Sequence, residues 1–173
     1  VPRLFVAVWP PPDVLEQVAA LPRPTIVGLR WTRPDQWHVT LRFLGQVEDA
    51  GQVAGAVAGA AGGAVGAGGV EAVLGPAVGR FAHRILHVPV AGLEDLAARV
   101  VAATAHLGEP PEDRPFAGHL TLARVARGER IDLRHLAGQP IAARWPVAEL
   151  ALVQSHLSPR GAPYEVVDRF PLA

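Results

Sequence analysis

The chain has no cysteine and no lysine. Without a thiol it has no disulfide, no thiolate nucleophile and no thiolate metal site. All 16 of its Lys-plus-Arg cations are arginines. That removes Schiff-base and lysyl-nucleotide intermediates, so a ligase working through a covalent lysyl-adenylate is excluded. It also removes the Lys that a Walker-type phosphate loop requires. No apolar run approaches the ~20 residues of a membrane span. Charge of one sign is not in excess either, because 16 acidic residues balance the 16 basic ones. A protein that grips long nucleic acid through many phosphates is usually basic overall. The balance here suits a nucleic-acid end or a small nucleotide. No secretory signal is expected ahead of Val1–Phe5, which reads as the start of a strand, and the expected location is the cytoplasm.

What is present is a large apolar fraction, half of 173 residues, enough for a substantial core in one domain. Leu4 to Trp9 reads as a strand broken by Pro10-Pro11-Pro12. Val14, Leu15, Val18, Ala19 and Leu21 then follow helical spacing, ended by Pro22 and Pro24. Trp31-Thr32 and Trp37 to Leu44 read as strands around a Pro34-Asp35 turn. Residues 50–69 are almost all Ala, Gly and Val. Their spacing predicts a degenerate surface helix with Val53, Val57 and Ala61 inward, fraying at its C-terminal end. Val70 to Leu74 and Arg84 to Val90 are expected strands. Leu93 to Leu107 is an expected amphipathic helix stopped by Gly108, and Glu109 to Arg114 a polar loop. Phe116 to Val125 reads as a strand and Ile131 to Leu136 as a short helix. Ala148 to Leu157 and Tyr164 to Phe170 read as strands joined through Pro159-Arg160-Gly161. No glycine fingerprint follows the first strand. The order predicts an α+β fold of two similar lobes, each a small, mostly antiparallel sheet backed by helices.

Within that pattern one tetrapeptide occurs twice. His38-Val39-Thr40-Leu41 returns 81 residues later as His119-Leu120-Thr121-Leu122, and both copies lie in strand-like runs. Residues i and i+2 of a strand share a face, so each copy presents an imidazole beside a hydroxyl. A single His-x-Thr arises easily by chance, with an ordinary strand Thr and a satisfied polar His. Two copies on two strands point to one site. Cleaving a cyclic phosphodiester needs a proton taken from water on one side of phosphorus and a proton given to the leaving oxygen on the other. Histidine does both near neutral pH, and two imidazoles with separated pKa values divide the roles. Thr40 and Thr121 are suited to hold phosphoryl oxygens as charge develops. The near-symmetric motifs leave open which His is acid and which is base.

These residues resemble the two-histidine (2H) phosphoesterases, and within them the bacterial RNA 2′,3′-cyclic phosphodiesterases, historically called 2′-5′ RNA ligases. The resemblance runs through Arg3-Leu4-Phe5-Val6-Ala7-Val8, through Trp31 to Gly45, through Phe81 and the strand Arg84 to Val88, and through Phe116 to Arg124. It ends in residues 150–167, where Ser155, Gly161 and Tyr164 fall as in the family. It implies a catalytic site in the cleft between two lobes of a single domain spanning residues 1–173, with one motif per lobe. It implies hydrolysis of RNA 2′,3′-cyclic ends to 2′-phosphomonoesters and reversible ATP-independent 2′-5′ joining. It also implies His38 as proton donor and His119 as acceptor, with no cofactor and no metal. Two positions depart from the family pattern. Gly118 stands where Pro usually precedes the second His, and His87 where Trp is frequent.

Four residues are candidates for substrate binding. Arg42 alternates with His38 and Thr40, so it is expected on their face. Phe43 has the opposite parity and defaults to the core, with base stacking as its alternative. Arg124 is off the parity of His119 unless the strand bulges; the resemblance favours it near the phosphate, and a salt bridge elsewhere is the alternative. Tyr164 is carried by the resemblance. His83 and His87 have an i,i+4 spacing, but their segment reads as a strand with no Asp or Glu joining them, so no metal site is expected. His106, His135 and His156 are expected at the surface or in caps. The expected partners are RNA ends or nucleotides bearing a 2′,3′-cyclic phosphate, and the chain is expected to be a monomer off the membrane. Two rival readings stand beside this: a 2H enzyme for small cyclic nucleotides or an ADP-ribose cyclic phosphate, and an RNA-end or nucleotide binding module without turnover.

Overall fold

In the computed structural model, residues 1–64, 66, 68–158 and 163–173 are described. The proposed Pro159-Arg160-Gly161 connection therefore lies outside the described residues. Among the described residues, three α-helices and two short 3-10 helices are interspersed with ten strands. The first stretch is β1 (Arg3–Val8), α1 (Pro12–Ala19), β2 (Leu29–Trp31), β3 (Val39–Gln46) and α2 (Ala50–Gly62). Next come β4 (Glu71–Leu74), β5 (Gly79–Phe81), β6 (Ile85–Ala91), α3 (Glu94–Thr104) and β7 (His119–Val125). The chain ends with β8 (Ala143–Pro146), β9 (Glu149–Ser155) and β10 (Tyr164–Pro171). The ladders are antiparallel and run in the order β10-β9-β1-β3-β7-β6-β4-β8, with β2 on β7 and β5 on β6. This is the expected α+β architecture of two lobes. Strands β10-β9-β1-β3 make one half and β7-β6-β4-β8 the other, and the two motif strands meet in the middle.

The halves are interlaced. After α2 the chain crosses to lay β4 beside β6, and after β8 it crosses back to lay β9 beside β1. Helix α1 packs on β8, α3 on β3, and α2 on α3, β9 and β10. One continuous apolar cluster lies between sheet and helices, including Leu4, Leu44, Leu86, Leu120 and Leu152. Each helix is held mainly by its buried stripe, as is usual for helices this short. Helix α2 is the extreme case. Its Gly residues disfavour helix, but Asp49 caps it by accepting from Gly51 N at 2.9 Å and Gln52 N at 3.1 Å, and Val53, Val57 and Ala61 are buried as the spacing predicts. Two short strands, β5 and β8, fall in Gly- and Pro-flanked segments where the sequence shows no strand signal.

The other face of the first half carries a second, small cluster of Phe5, Ala7, Ala151 and Val153, edged by Trp9 and Tyr164. These residues alternate with Leu4, Val6 and Leu152 of the main core. A side-chain period of two gives β1 and β9 one wall facing the helices and one facing the candidate site.

Candidate active site

The motif strands meet with Val39 opposite Leu120 in an antiparallel pair. Both residues are fully buried. Their neighbours His38, Thr40, His119 and Thr121 therefore project from the opposite face, and the register sets the His38 side toward Thr121 and the Thr40 side toward His119. One short ladder thus brings both imidazoles and both hydroxyls to one patch. The approach to His38 is tied to the second motif. Thr32 Oγ1 donates to the Thr121 and Leu122 carbonyls at 2.8 and 2.9 Å, and the buried Trp37 Nε1–H donates to Thr32 Oγ1 at 2.9 Å.

Immediately after each Thr, the strand bulges. On β3, Thr40 pairs with Ala7 but Arg42 pairs with Val6, leaving Leu41 as an extra residue; Leu44 is a second one, between Phe43 opposite Phe5 and Gly45 opposite Leu4. On β7, Thr121 pairs with His87 but Ala123 pairs with Leu86, leaving Leu122 as the extra residue. A bulge reverses the parity of everything beyond it. Arg42 is consequently not on the site face, contrary to the alternation in the sequence. It is 5% exposed, and its guanidinium donates to the carbonyls of Phe43, Thr104, Leu107 and Glu109 at 2.7, 3.4, 3.1 and 2.6 Å. With its Nε donating to Thr104 Oγ1 at 3.3 Å, it fastens the end of α3 and the following loop to β3, and its donors are spent inside the protein. Phe43, expected in the core, takes the site face opposite Phe5 and is 40% exposed, with the Arg3 guanidinium 5.5 Å from its ring. Arg124 holds the equivalent place three residues after Thr121, and the bulge turns it toward the histidines.

His38 sits among aromatic rings. Phe5, Trp9 and Tyr164 approach its ring at centroid distances of 5.0, 4.9 and 5.2 Å. Its Nδ1–H donates to the Gln36 carbonyl at 2.7 Å, which leaves Nε2 to accept from the Thr40 hydroxyl at 3.0 Å in the neutral ring. Burial pushes its pKa down to about 4. The Gln36 carbonyl opposes that shift, and the charges of Arg124 and His119 add to it. Tyr164, a substrate-binding candidate, is part of this wall, and burial raises its phenol above the ordinary value.

His119 is more open. Its Nδ1–H donates to the Ala117 carbonyl at 2.7 Å, the same i−2 contact that His38 makes. Among the described residues no bond like that of His38 to Thr40 joins His119 to Thr121. Phe81 meets its ring edge-on at 4.8 Å and His87 at 5.5 Å. Burial lowers its pKa, the Ala117 carbonyl opposes, Arg124 and Arg114 lower it further and Glu112 raises it. Gly118, one of the departures from the family pattern, lies against β6: a Cβ there would collide with the Val90 carbonyl oxygen, and its own carbonyl accepts from Val90 N at 2.9 Å. That contact anchors the entry to His119 and makes the glycine a packing requirement.

Of the rings around the histidines, sequence reasoning gave a role to Tyr164 and none to Phe5, Trp9 or Phe81. Phe5 and Trp9 share the parity of Ala7 on a strand paired with β3, so alternation would have exposed them once that pairing was known. Phe81 comes from the unpredicted β5. Among the remaining histidines, His156 pairs with Glu165 at 3.0 Å and His135 lies 3.5 Å from Asp132, both at the surface.

The chain matches the family model described as LigT-like phosphoesterase over residues 8–72 and 87–164. The protein TT0787 of Thermus thermophilus is 30% identical and superposes with a TM-score of 0.76 over 98% of this chain and 97% of that one. E. coli LigT, solved with 3′-AMP, is 25% identical with a TM-score of 0.73 over 99% of both chains. The PDE domain of MHV ns2, at 18% identity and a TM-score of 0.53 over 89% of this chain and 99% of that one, shares the fold. No curated protein sequence matches the chain. The family match spans both His-x-Thr strands and most of the sheet that brings them together, and the chain belongs to the LigT-like phosphoesterase family.

Proposed function

We propose that this phosphoesterase hydrolyses the 2′,3′-cyclic phosphodiester at RNA ends to a 2′-phosphomonoester. Both proton transfers run through its two motif histidines. The observation that carries this reading is the shared geometry of His38 and His119. Each ties Nδ1–H to a backbone carbonyl two residues back at 2.7 Å, which reserves Nε2 for chemistry. Water attacks phosphorus, His119 Nε2 takes its proton, the bond from phosphorus to O3′ breaks, and His38 Nε2–H gives a proton to O3′. The product keeps phosphate on O2′. Thr40 and Thr121 hold the non-bridging oxygens as negative charge builds on them, and Arg124 supplies fixed positive charge. A buried His38 is neutral in the free site at neutral pH, so the anionic phosphodiester must raise its pKa on docking and load it with the proton it later donates. Phe43, exposed on the site face, offers a ring for the terminal base, and the protonated Tyr164 hydroxyl offers a donor beside His38.

The scheme uses no ATP and no metal; catalysis runs in the cytoplasm on monomeric enzyme, and running backwards it joins 2′-5′ ends. E. coli LigT has been solved with 3′-AMP and with phosphate, ligands of the chemistry this site would hold. The test is phosphorus NMR on a dinucleotide ending in a 2′,3′-cyclic phosphate, incubated with enzyme and EDTA. The expected product is the 2′-phosphate alone. A 3′-phosphate, an unchanged cyclic ester or a strict requirement for a divalent ion would overturn the proposal.

A further inference from the structure

A third imidazole lies in this site, and the reaction as written does not use it. His87 stands across the β6–β7 ladder from Thr121, so its side chain is on the site face. It is 6% exposed. Phe81 stacks on its ring at 3.9 Å between centroids with the planes 24° apart, and the His119 ring meets it at 5.5 Å and 66°. Since Phe81 also touches His119, the three rings close a triangle in which each contacts the other two. Across β5, Gly79 is the partner of His87, and a Cβ there would come 3.2 Å from His87 Cε1. The missing side chain is the seat of the ring. His87 Nδ1 is buried without a hydrogen-bond partner.

A ring so placed is poorly suited to carry a proton. Burial, then the charge of His119, push its pKa down to about 4, opposed in part by the backbone at Val88, and among the described residues no carboxylate acts on it. It is well suited to confine its neighbour. The hydrogen bond from His119 Nδ1 to Ala117 restrains the ring at one end, but small swings in the side-chain torsions still move Nε2 at the other. A flat, uncharged flank removes that freedom. We propose that His87 is a positioning residue: with Phe81, over Gly79, it forms a neutral wall that fixes the plane of the His119 imidazole for proton transfer. This rests on His119 acting as a proton-transfer group. Misplacing a reacting group by about an ångström can cost about 10²-fold in rate, so the wall has room to matter.

Three variants test it: His87→Ala, His87→Phe and Gly79→Ala, each checked for folding by circular dichroism and assayed on the cyclic dinucleotide. His87→Ala is expected to lower kcat about 10- to 10²-fold with KM within about 3-fold, the pattern of lost orientation without lost binding. His87→Phe keeps a planar ring and is expected to recover kcat to within about 3-fold of the wild type. Gly79→Ala leaves His87 in place but crowds it, and is expected to lower kcat in the same direction by a smaller factor. In NMR spectra the His119 ring signals should be sharp in the wild type and in His87→Phe, and broadened or doubled in His87→Ala. Wild-type kcat in folded His87→Ala overturns the proposal. So does a His87→Phe as impaired as His87→Ala, which would make the imidazole nitrogens the working part. If His87→Ala does not fold, Gly79→Ala decides, and an unchanged kcat there overturns the wall. If the wild type hydrolyses no cyclic ester, the phosphodiesterase reading fails by itself, and the NMR signals still test the wall: unchanged His119 signals in His87→Ala reject it.

Discussion

The two halves of the molecule use the same four residues and surround them differently. Both tetrapeptides run His-x-Thr-Leu, both place a bulge at the Leu, and both tie His Nδ1 to a carbonyl two residues back. What differs is what lies behind. His38 is enclosed by three aromatic rings and bonded to its own Thr40, whereas His119 is flanked by Phe81 and His87 and feels the charges of Glu112 and Arg114. An internal repeat supplies two equal imidazoles; the sheet around them makes them unequal. Separating the properties of two like groups by environment is the usual way to obtain an acid and a base from one residue type.

The harshest test removes the shared chemistry. His38→Ala and His119→Ala should each lower turnover by about 10²- to 10⁴-fold with the fold intact, since each deletes one proton-transfer group. Steady-state kinetics with circular dichroism check this. Near wild-type turnover in either variant would break the equivalence of the motifs.

The hydroxyls sharpen the comparison. Thr40→Val and Thr121→Val should each cost about 10- to 10³-fold, the scale of one lost oxyanion donor. Thr40→Val should cost more, because Thr40 alone of the pair is also bonded to its histidine, at 3.0 Å. Equal losses would mean that this bond is irrelevant to the reaction.

Phe43 and Arg124 occupy equivalent positions beyond the two bulges, one aromatic and one cationic. Each substitution to Ala should raise KM about 10-fold, from lost stacking and from a lost charge-assisted contact respectively. The Arg124 effect should shrink as salt rises and the Phe43 effect should not. Titrations of KM against ionic strength separate them, and parallel salt responses would erase the assigned difference.

Much of this was legible in the residues. The doubled motif, its strand context and the helix stripes at Val53/Val57 and Leu96/Val100 follow from periodicity. Side-chain direction beyond the motif was not legible, for one physical reason. A bulge is set by pairing with a neighbouring strand, and Leu41, Leu44 and Leu122 look like ordinary strand residues. The same alternation rule that placed His38 with Thr40 therefore misplaced Arg42 and Phe43. For Arg124 the sequence could only state the condition, a bulge, which β7 satisfies. His87 escaped for a related reason. Its contact with His119 arises from β6 pairing with β7 and from the Gly79 seat on β5, which no local pattern announces.

The smallest effect expected concerns pH, and it tests how far a nearby charge sets the pKa values of the two histidines. Turnover needs one imidazole protonated and the other neutral, so kcat/KM should be bell-shaped, with apparent pKa values that belong to the pair. In the free site both pKa values lie below the ordinary 6.5, His38 at about 4 and His119 lowered by burial and by nearby arginines. The singly protonated form is then most abundant on the acid side of 6.5, and kcat/KM should peak there. Binding the anionic phosphodiester raises both values, so the kcat profile should lie at higher pH than the kcat/KM profile. Among the described residues, Arg124 is the arginine that lowers both histidines. Arg124→Ala should therefore move the kcat/KM optimum upward, by a fraction of a pH unit, on the scale of one screened charge. Phe43→Ala, at the equivalent place in the other half, carries no charge change and should leave the optimum where it is. A shift in both variants would attribute the pKa values to burial of the whole site. A shift in neither would remove Arg124 from the electrostatics of the pair and leave burial as the cause of both lowered values.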